Sequence, residues 1–322
     1  MLLSALGLLK GVTMKVGIVG TGFVGAAAAY ALTLRGSCTE LVLTDINAKK
    51  ALAEAEDIQH ATPFTHPVRV TAGKYEDLEG AKVVILTAGV NQKPGETRLQ
   101  LLERNVNIFS EMVPQVVQAA PEAILIVATN PVDVLTAITA KIAGLPEGRV
   151  LGSGTTLDTA RFRALVGQHV GIDPQHVHAF VLGEHGDSEV LAWSSASISG
   201  IPIGEYCVQR GIQWDDAIKS SIDEKVRKAA YTIIEGKGAT YYGIGAALAR
   251  ITEVITRDAR AILSVTAPDS EGLAYALPRI VGGDGIKETL EVPLSTREAL
   301  QLSRSVEVLR EATRSAMDHL YA

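Results

Sequence analysis

Two cysteines in 322 residues, Cys38 and Cys207, cannot build a disulfide framework, and no Cys/His cluster has the spacing of a zinc site. That usage fits unpaired thiols in the reducing cytoplasm and leaves no metal site to expect. A long run of lysine and arginine is also missing, and the formal net charge is −6. Binding a phosphate backbone needs clustered cations, so nucleic acid is excluded as the main partner. No apolar stretch approaches the roughly 20 residues of a membrane-spanning helix. Residues 1–9 are apolar apart from Ser4, but the run is short, and it lacks the basic flank and the Ala-x-Ala pattern of a secretory leader. A strand opens soon after, at Met14-Lys15, so residues 1–13 read either as a start upstream of the true one or as a short arm on the folded body. Repeats and low-complexity linkers are absent too, which predicts that the parts of the chain pack tightly.

What is present is the composition of a globular protein: 47% hydrophobic and 20% charged residues, over a length that suggests two domains. Residues 15–19, 40–44, 68–72, 82–87, 123–129 and 150–151 read as short, continuously apolar strands. Amphipathic helices alternate with them at 22–35, ending near Gly36, at 48–60, at 99–118, and from Pro131 to near Gly144. Pro114 is expected to bend or split the third of these. Alternation of this kind predicts an α/β fold: a doubly wound, parallel, six-stranded sheet over residues 14–153, covered on both faces and joined by right-handed crossovers. From about Gly154 the pattern changes. Helices at 156–168 and 215–235, β-like runs at 176–182 and 189–199, and a charged amphipathic helix from Ser295 predict a mixed α+β domain over 154–322.

Gly20-Thr21-Gly22-Phe23-Val24-Gly25 lies between the first strand and the first helix. Alone, G-x-G-x-x-G is a weak signal in a chain with 30 glycines, but a strand before it and a helix after it are what its mechanism demands. Gly20 permits the tight turn, Gly22 lets a pyrophosphate approach the backbone, and Gly25 lets helix and strand pack closely. The helix N-terminus offers free N–H groups and partial positive charge. Asp45, at the end of the second strand and 20 residues past Gly25, suits ribose hydroxyls and would repel a 2′-phosphate, with no arginine at Ile46 or Asn47 to offset it. The fold reading is therefore a Rossmann domain that takes NAD rather than NADP.

The second half holds the acid–base chemistry. Asp158 and Arg161 are three residues apart, on one face if their segment is helical. His185 sits in the Gly-flanked polar loop 183–188, read here as a mobile imidazole that can exchange a proton at neutral pH. Asp158 is suited to fix its tautomer, and Arg161 to grip a carboxylate in bidentate fashion. Residues 88–98, with Gly89 and Gly95, follow the fourth strand and read as a loop able to close and carry Arg98 into the site.

These motifs, with Asn130-Pro131-Val132-Asp133 and Lys237-Gly238-Ala239-Thr240, make the chain from Met14 to near its C-terminus resemble the L-lactate dehydrogenase branch of the lactate/malate dehydrogenase family. The resemblance implies interconversion of pyruvate and L-lactate with NAD. His185 would carry the proton, Asp158 orient it, Arg161 hold the substrate carboxylate, and Arg98 polarise the carbonyl. Asn130 and Thr240 would line the substrate and nicotinamide pocket. Gly20, Gly22, Phe23, Val24, Gly25, Asp45, Gly89 and Asn130 would hold the cofactor. Arg163 and His178 match positions where bacterial relatives bind fructose 1,6-bisphosphate across a subunit interface, and the family is usually a homotetramer. Two rivals stand beside this reading. A malate dehydrogenase would place an arginine where this chain has Gln92. A non-catalytic NAD-binding protein would be expected to lack His185, Arg98 or Arg161, all of which are present.

In the family Gln92 meets the substituent of the 2-oxo acid. A neutral side chain there suits the methyl group of pyruvate and leaves a second carboxylate desolvated without compensation. Gln92→Arg is expected to shift preference toward oxaloacetate, read as the ratio of kcat/KM for the two substrates; an unchanged ratio would show that Gln92 does not set specificity.

Overall fold

The computed structural model describes residues 14–90, 95 and 97–321. The first half follows the predicted alternation: β1 (Lys15–Val19), α1 (Phe23–Arg35), β2 (Glu40–Thr44), α2 (Ala48–Ala61), β3 (Arg69–Ala72), β4 (Val83–Leu86), α3 (Arg98–Ala119), β5 (Ile124–Val127), α4 (Val132–Ala143) and β6 (Val150–Gly152). The helices α1 and α4 stop where the sequence predicts, at the left-handed Gly36 and Gly144. The third helix departs from expectation: α3 runs unbroken through Pro114. Its Phe109, Met112, Val113 and Val116 are buried in the core, while Pro114 faces out. Burial of that apolar face outweighs the one backbone hydrogen bond that proline removes. The start of α3 is fixed by a capping box, in which the Thr97 and Gln100 side chains and backbone N–H groups satisfy one another.

The second half adds α5 (Thr156–Val170), β7 (Val177–His178), β8 (Val181–Leu182), β9 (Val190–Leu191), β10 (Ser197–Ile198), β11 (Ile201–Pro202), α6 (Ile203–Arg210), α7 (Asp216–Lys237), α8 (Tyr242–Thr256), β12 (Ala261–Pro268), β13 (Ala274–Gly282), β14 (Gly285–Thr289) and α9 (Thr296–Leu320). The β-like run 189–199 is broken into two short strands with a 3-10 turn between them. Six parallel strands form the expected sheet, but it does not stop there. Among the described residues the order is β14-β13-β12-β6-β5-β4-β1-β2-β3, with the three added strands antiparallel. The join between the halves is a single register pair, Thr266 opposite Gly152.

Alternation along the buried strands divides the core. Val83 and Ile85 join Val16, Ile18, Leu41, Leu43, Ile124 and Ile126 on one face, whereas Val84 and Leu86 join Val19, Val42, Leu125 and Val127 on the other. The second half covers both faces. From α8, Leu248, Ile251, Val254 and Ile255 pack with Ala28, Ala29 and Leu32 of α1. From α9, Leu309 and Ala316 pack with α3 and α4 on the opposite side. A third core gathers Phe162, Val166, Val177, Ile198, Cys207, Ile222 and Val226 in the second half. Both cysteines are free and buried, and burial pushes the Cys38 thiol up to about 12. Among the described residues no helix is long and apolar enough to cross a membrane, and no cluster of His, Cys, Asp and Glu could hold a metal ion.

The contact of α8 with α1 is close enough to be tested. A Cβ on Gly245 would lie 2.8 Å from the Ala27 carbonyl carbon, too near for any side chain without separating the helices. Gly245→Val is expected to destabilise the fold by about 2 kcal/mol, the usual cost of overpacking a well-filled contact. Thermal unfolding should show a lowered midpoint, and an unchanged midpoint would mean that the two helices can move apart freely.

Candidate active site

The dinucleotide site is built at the carboxyl ends of β1 and β2. Gly20 adopts φ 100°, and a Cβ there would meet the Ala88 backbone N at 2.4 Å. A Cβ on Gly25 would sit 2.0 Å from the Gly20 carbonyl oxygen, so α1 can approach β1 this closely only with glycine. Gly22 is different: a Cβ there meets nothing within 4 Å. The space above it is open, as a phosphate-binding turn requires, and no side chain caps the N-terminus of α1. The residues fit NAD. Asp45 does more than the sequence predicts. Its Oδ2 accepts the Thr21 N–H at 2.7 Å and the Thr21 hydroxyl at 3.0 Å, and Oδ1 accepts the Asn47 N–H at 2.8 Å. Partial burial pushes its pKa up, but these donors and Lys50 outweigh it and hold the carboxyl below its usual range. It stays ionised while bracing the glycine turn.

Phe23 and Val24 open α1. The Phe23 ring stacks on Tyr241 with centroids 5.3 Å apart, and the Lys237 ammonium lies 3.4 Å from the centroid of the same tyrosine. Through this stack the dinucleotide turn adjoins a cavity of about 490 Å³ lined by Arg161, Thr240, Tyr241 and Tyr242 among others. Arg161 and Thr240, predicted from separate motifs, thus share one cavity. On the opposite flank, Gly89 follows β4 and Asn130 follows β5. The buried Asn105 of α3 joins them, accepting the Val90 N–H at 3.0 Å and donating to the Asn130 carbonyl at 3.1 Å. Gln92 lies outside the described residues, as does the side chain of Arg98, whose backbone opens α3.

The acid–base group is assembled on α5 and the loop after β8. Asp158, in the first turn of α5, is 2% exposed. Its Oδ2 lies 2.6 Å from His185 Nδ1, and its Oδ1 accepts from Arg161 Nη1 at 2.7 Å, one helical turn on. Burial pushes the Asp158 pKa up, but the charges of His185 and Arg161 and the hydrogen bond from His185 hold it below the usual range. For His185 burial acts first, against the imidazolium. The Asp158 carboxylate overcomes it, with help from Asp133 and Glu189, and the pKa rises to about 9. With Asp158 ionised, Nδ1 carries a proton and donates it to the carboxylate. Nε2 is then the ring nitrogen that Asp158 leaves unengaged.

The loop that carries His185 is not slack, contrary to the expectation of a mobile imidazole. Gly183 exchanges two backbone hydrogen bonds with Ala276 of β13, each 2.9 Å. The Glu184 N–H donates to the Ser305 hydroxyl of α9 at 2.8 Å, and the Ser188 N–H donates to Glu184 at 3.1 Å. The His185 N–H donates at 2.7 Å to Oδ2 of Asp133 on α4. Asp133 is a residue that the sequence reading quoted in a motif without giving it a task. Glu189 enters the sequence reading only as the first residue of the β-like run 189–199. It is 4% exposed, its Oε1 has no hydrogen-bond partner, and burial with the charge of Asp158 pushes its pKa up to about 8 despite Arg227.

Arg163 and His178 lie close in space on the far side of α5. Arg163 Nε donates to the Ala179 carbonyl at 3.0 Å, its guanidinium lies 5.5 Å from the Phe180 ring centroid, and His178 is exposed on β7.

Comparison with known proteins gives the family of both halves. Residues 14–152 match the model of the lactate/malate dehydrogenase NAD-binding domain, and residues 155–319 match that of the family's alpha/beta C-terminal domain. An L-lactate dehydrogenase of Chloroherpeton thalassium is 60% identical over 300 residues, covering 93% of this chain and 98% of that one. One from Thermus aquaticus is 57% identical over 306 residues, with the same coverage of 93% and 98%. The crystal structure of a minor L-lactate dehydrogenase from Enterococcus mundtii superposes with a TM-score of 0.91 at 42% identity, over 94% of this chain and 98% of its own. The chain belongs to the lactate/malate dehydrogenase family.

Proposed function

We infer that the chain is an NAD-dependent L-lactate dehydrogenase, interconverting pyruvate and L-lactate. The observation that carries the chemistry is the 2.6 Å contact of His185 Nδ1 with Asp158, with Arg161 held on the same carboxylate. NAD, when bound, supplies the exchange of hydride with the substrate carbon. Every other task falls to side chains. His185 Nε2 gives its proton to the carbonyl oxygen during reduction and takes it back during oxidation. Asp158 keeps the other proton on Nδ1 and stabilises the imidazolium. One amino group of Arg161 is already engaged by Asp158, so the rest of its donors receive the substrate carboxylate. Asn130 and Thr240 flank the pocket. Arg98 polarises the carbonyl, and Gln92 favours a methyl group over a second carboxylate. Gly20, Gly22, Phe23, Val24, Gly25, Asp45 and Gly89 hold the cofactor.

The same reading includes a homotetramer in the cytoplasm, with fructose 1,6-bisphosphate as effector. Leu52 on α2 and Phe64 just beyond it are 51% and 91% exposed, which supports burial against another subunit. Arg163 and His178 provide a cation and an imidazole suited to a bisphosphate. Initial rates with NADH across a panel of 2-oxo acids, with and without the bisphosphate, test reaction and regulation together. Pyruvate is expected to outrun oxaloacetate strongly, and the effector to lower the apparent KM for pyruvate. No change in rate at low pyruvate would remove the effector from this reading.

The raised pKa of His185 fixes the pH dependence. Reduction needs the imidazolium, so kcat/KM for pyruvate should hold below and fall as pH rises through about 9. Oxidation needs the neutral ring and should rise over the same window. Asp158→Asn removes the largest influence favouring the imidazolium. The falling limb should move to lower pH, and the rate should drop by about 10²- to 10⁴-fold. A limb that stays in place in the variant would show that Asp158 does not govern His185.

A further inference from the structure

The catalytic imidazole is held from two sides by two different parts of the chain. Asp158 takes the ring. Asp133 takes the backbone, through the 2.7 Å bond from the His185 N–H to Oδ2. Its other oxygen, Oδ1, accepts from the Thr266 hydroxyl. Asp133 is 2% exposed, in the first turn of α4 in the NAD-binding half, whereas His185 and Thr266 belong to the other half. Three residues upstream is Asn130, just before the same helix.

A neutral amide could bracket a backbone N–H at lower desolvation cost than a carboxylate. Burial pushes the Asp133 pKa up to about 6, which measures that cost, while Thr266 and the His185 N–H counter it. The group therefore remains largely ionised at neutral pH, beside the imidazole. We propose that Asp133 is a positioning residue for proton transfer, fixing the backbone of His185 from the NAD-binding half and adding a second negative charge behind its imidazolium. This rests on His185 being the proton carrier. The charges acting on the ring are Asp158 on α5, Asp133 on α4 and Glu189 before β9; Arg161 pairs with Asp158, Glu184 of the same loop acts on Asp133, and Arg227 of α7 acts on Glu189. Of these, Asp133 alone ties the imidazole to the element that follows Asn130.

The test uses the full-length enzyme and three variants, with NADH binding measured for each as the check on folding. Asp133→Asn keeps the shape and an acceptor for the His185 N–H but removes the charge. Its alkaline limb for pyruvate reduction should move down by on the order of half a pH unit, with KM for pyruvate within about twofold, because Arg161 is untouched. Asp133→Ala removes the acceptor as well, and kcat should fall by on the order of 10²-fold. A variant that merely folded poorly would lower the active fraction and leave the limb where it was. An unmoved limb and a parental kcat in variants that bind NADH overturn the proposal. So does loss of NADH binding in both, which would make Asp133 a folding residue. If only one variant binds NADH, its limb or its kcat decides alone. His185→Asn separates the two levels of inference. If it retains pyruvate reduction, the role of His185 fails; if it abolishes reduction while the Asp133 variants behave as the parent, only the role of Asp133 fails.

Discussion

Three carboxylates, Asp133, Asp158 and Glu189, are buried about the imidazole of His185, and much of the second half is arranged to make that tolerable. An ionised carboxylate removed from water is costly unless it is paired and hydrogen-bonded. Asp158 has Arg161 one turn along its own helix and the imidazole ring opposite. Asp133 has two donors. Glu189 has an oxygen with no partner, and its pKa is pushed up to about 8, so near neutral pH it is mostly a neutral acid. The raised pKa of His185 follows chiefly from the Asp158 carboxylate, with Asp133 and Glu189 adding to it.

That dependence explains the tightness of the His185 loop. An imidazole held by charges at fixed positions must itself be fixed, or the pairing is lost within an ångström. The loop is accordingly tied to β13, α9 and α4 at successive residues. A glycine-flanked polar loop reads as slack in sequence because composition reports what a backbone can do, not what holds it. Gly183 adopts φ 84° in order to pair with Ala276, which is a use of its freedom to restrain the chain.

Much else was legible. The glycine turn, Asp45 and the Asp158–Arg161 pair are local patterns whose spacing states their geometry. Asp133 was not legible, because its partner is 52 residues away and a lone buried aspartate in a helix has no periodic signature. Three strands were missed for similar reasons. Pro278 lies inside β13, where proline normally argues against a strand, and the pairing of β12 with β6 spans more than 100 residues. Gly243 and Gly245 obscured α8, since glycine weakens a helical reading; the close contact with α1 requires the second of them. In α3 the opposite error arose, with Pro114 given more weight than the buried face beside it.

Thr266 occupies two roles at once. It is the register partner of Gly152, where the parallel and antiparallel parts of the sheet join, and it donates to the carboxylate that holds the His185 backbone. The sheet junction and the acid–base group are therefore tied through one side chain. The helix α7, whose buried residues are Ile222 and Val226, is anchored far more lightly than α4 or α8 and carries Thr240 just beyond its end. The cavity wall at Thr240 is thus held by fewer buried side chains than the elements that fix His185.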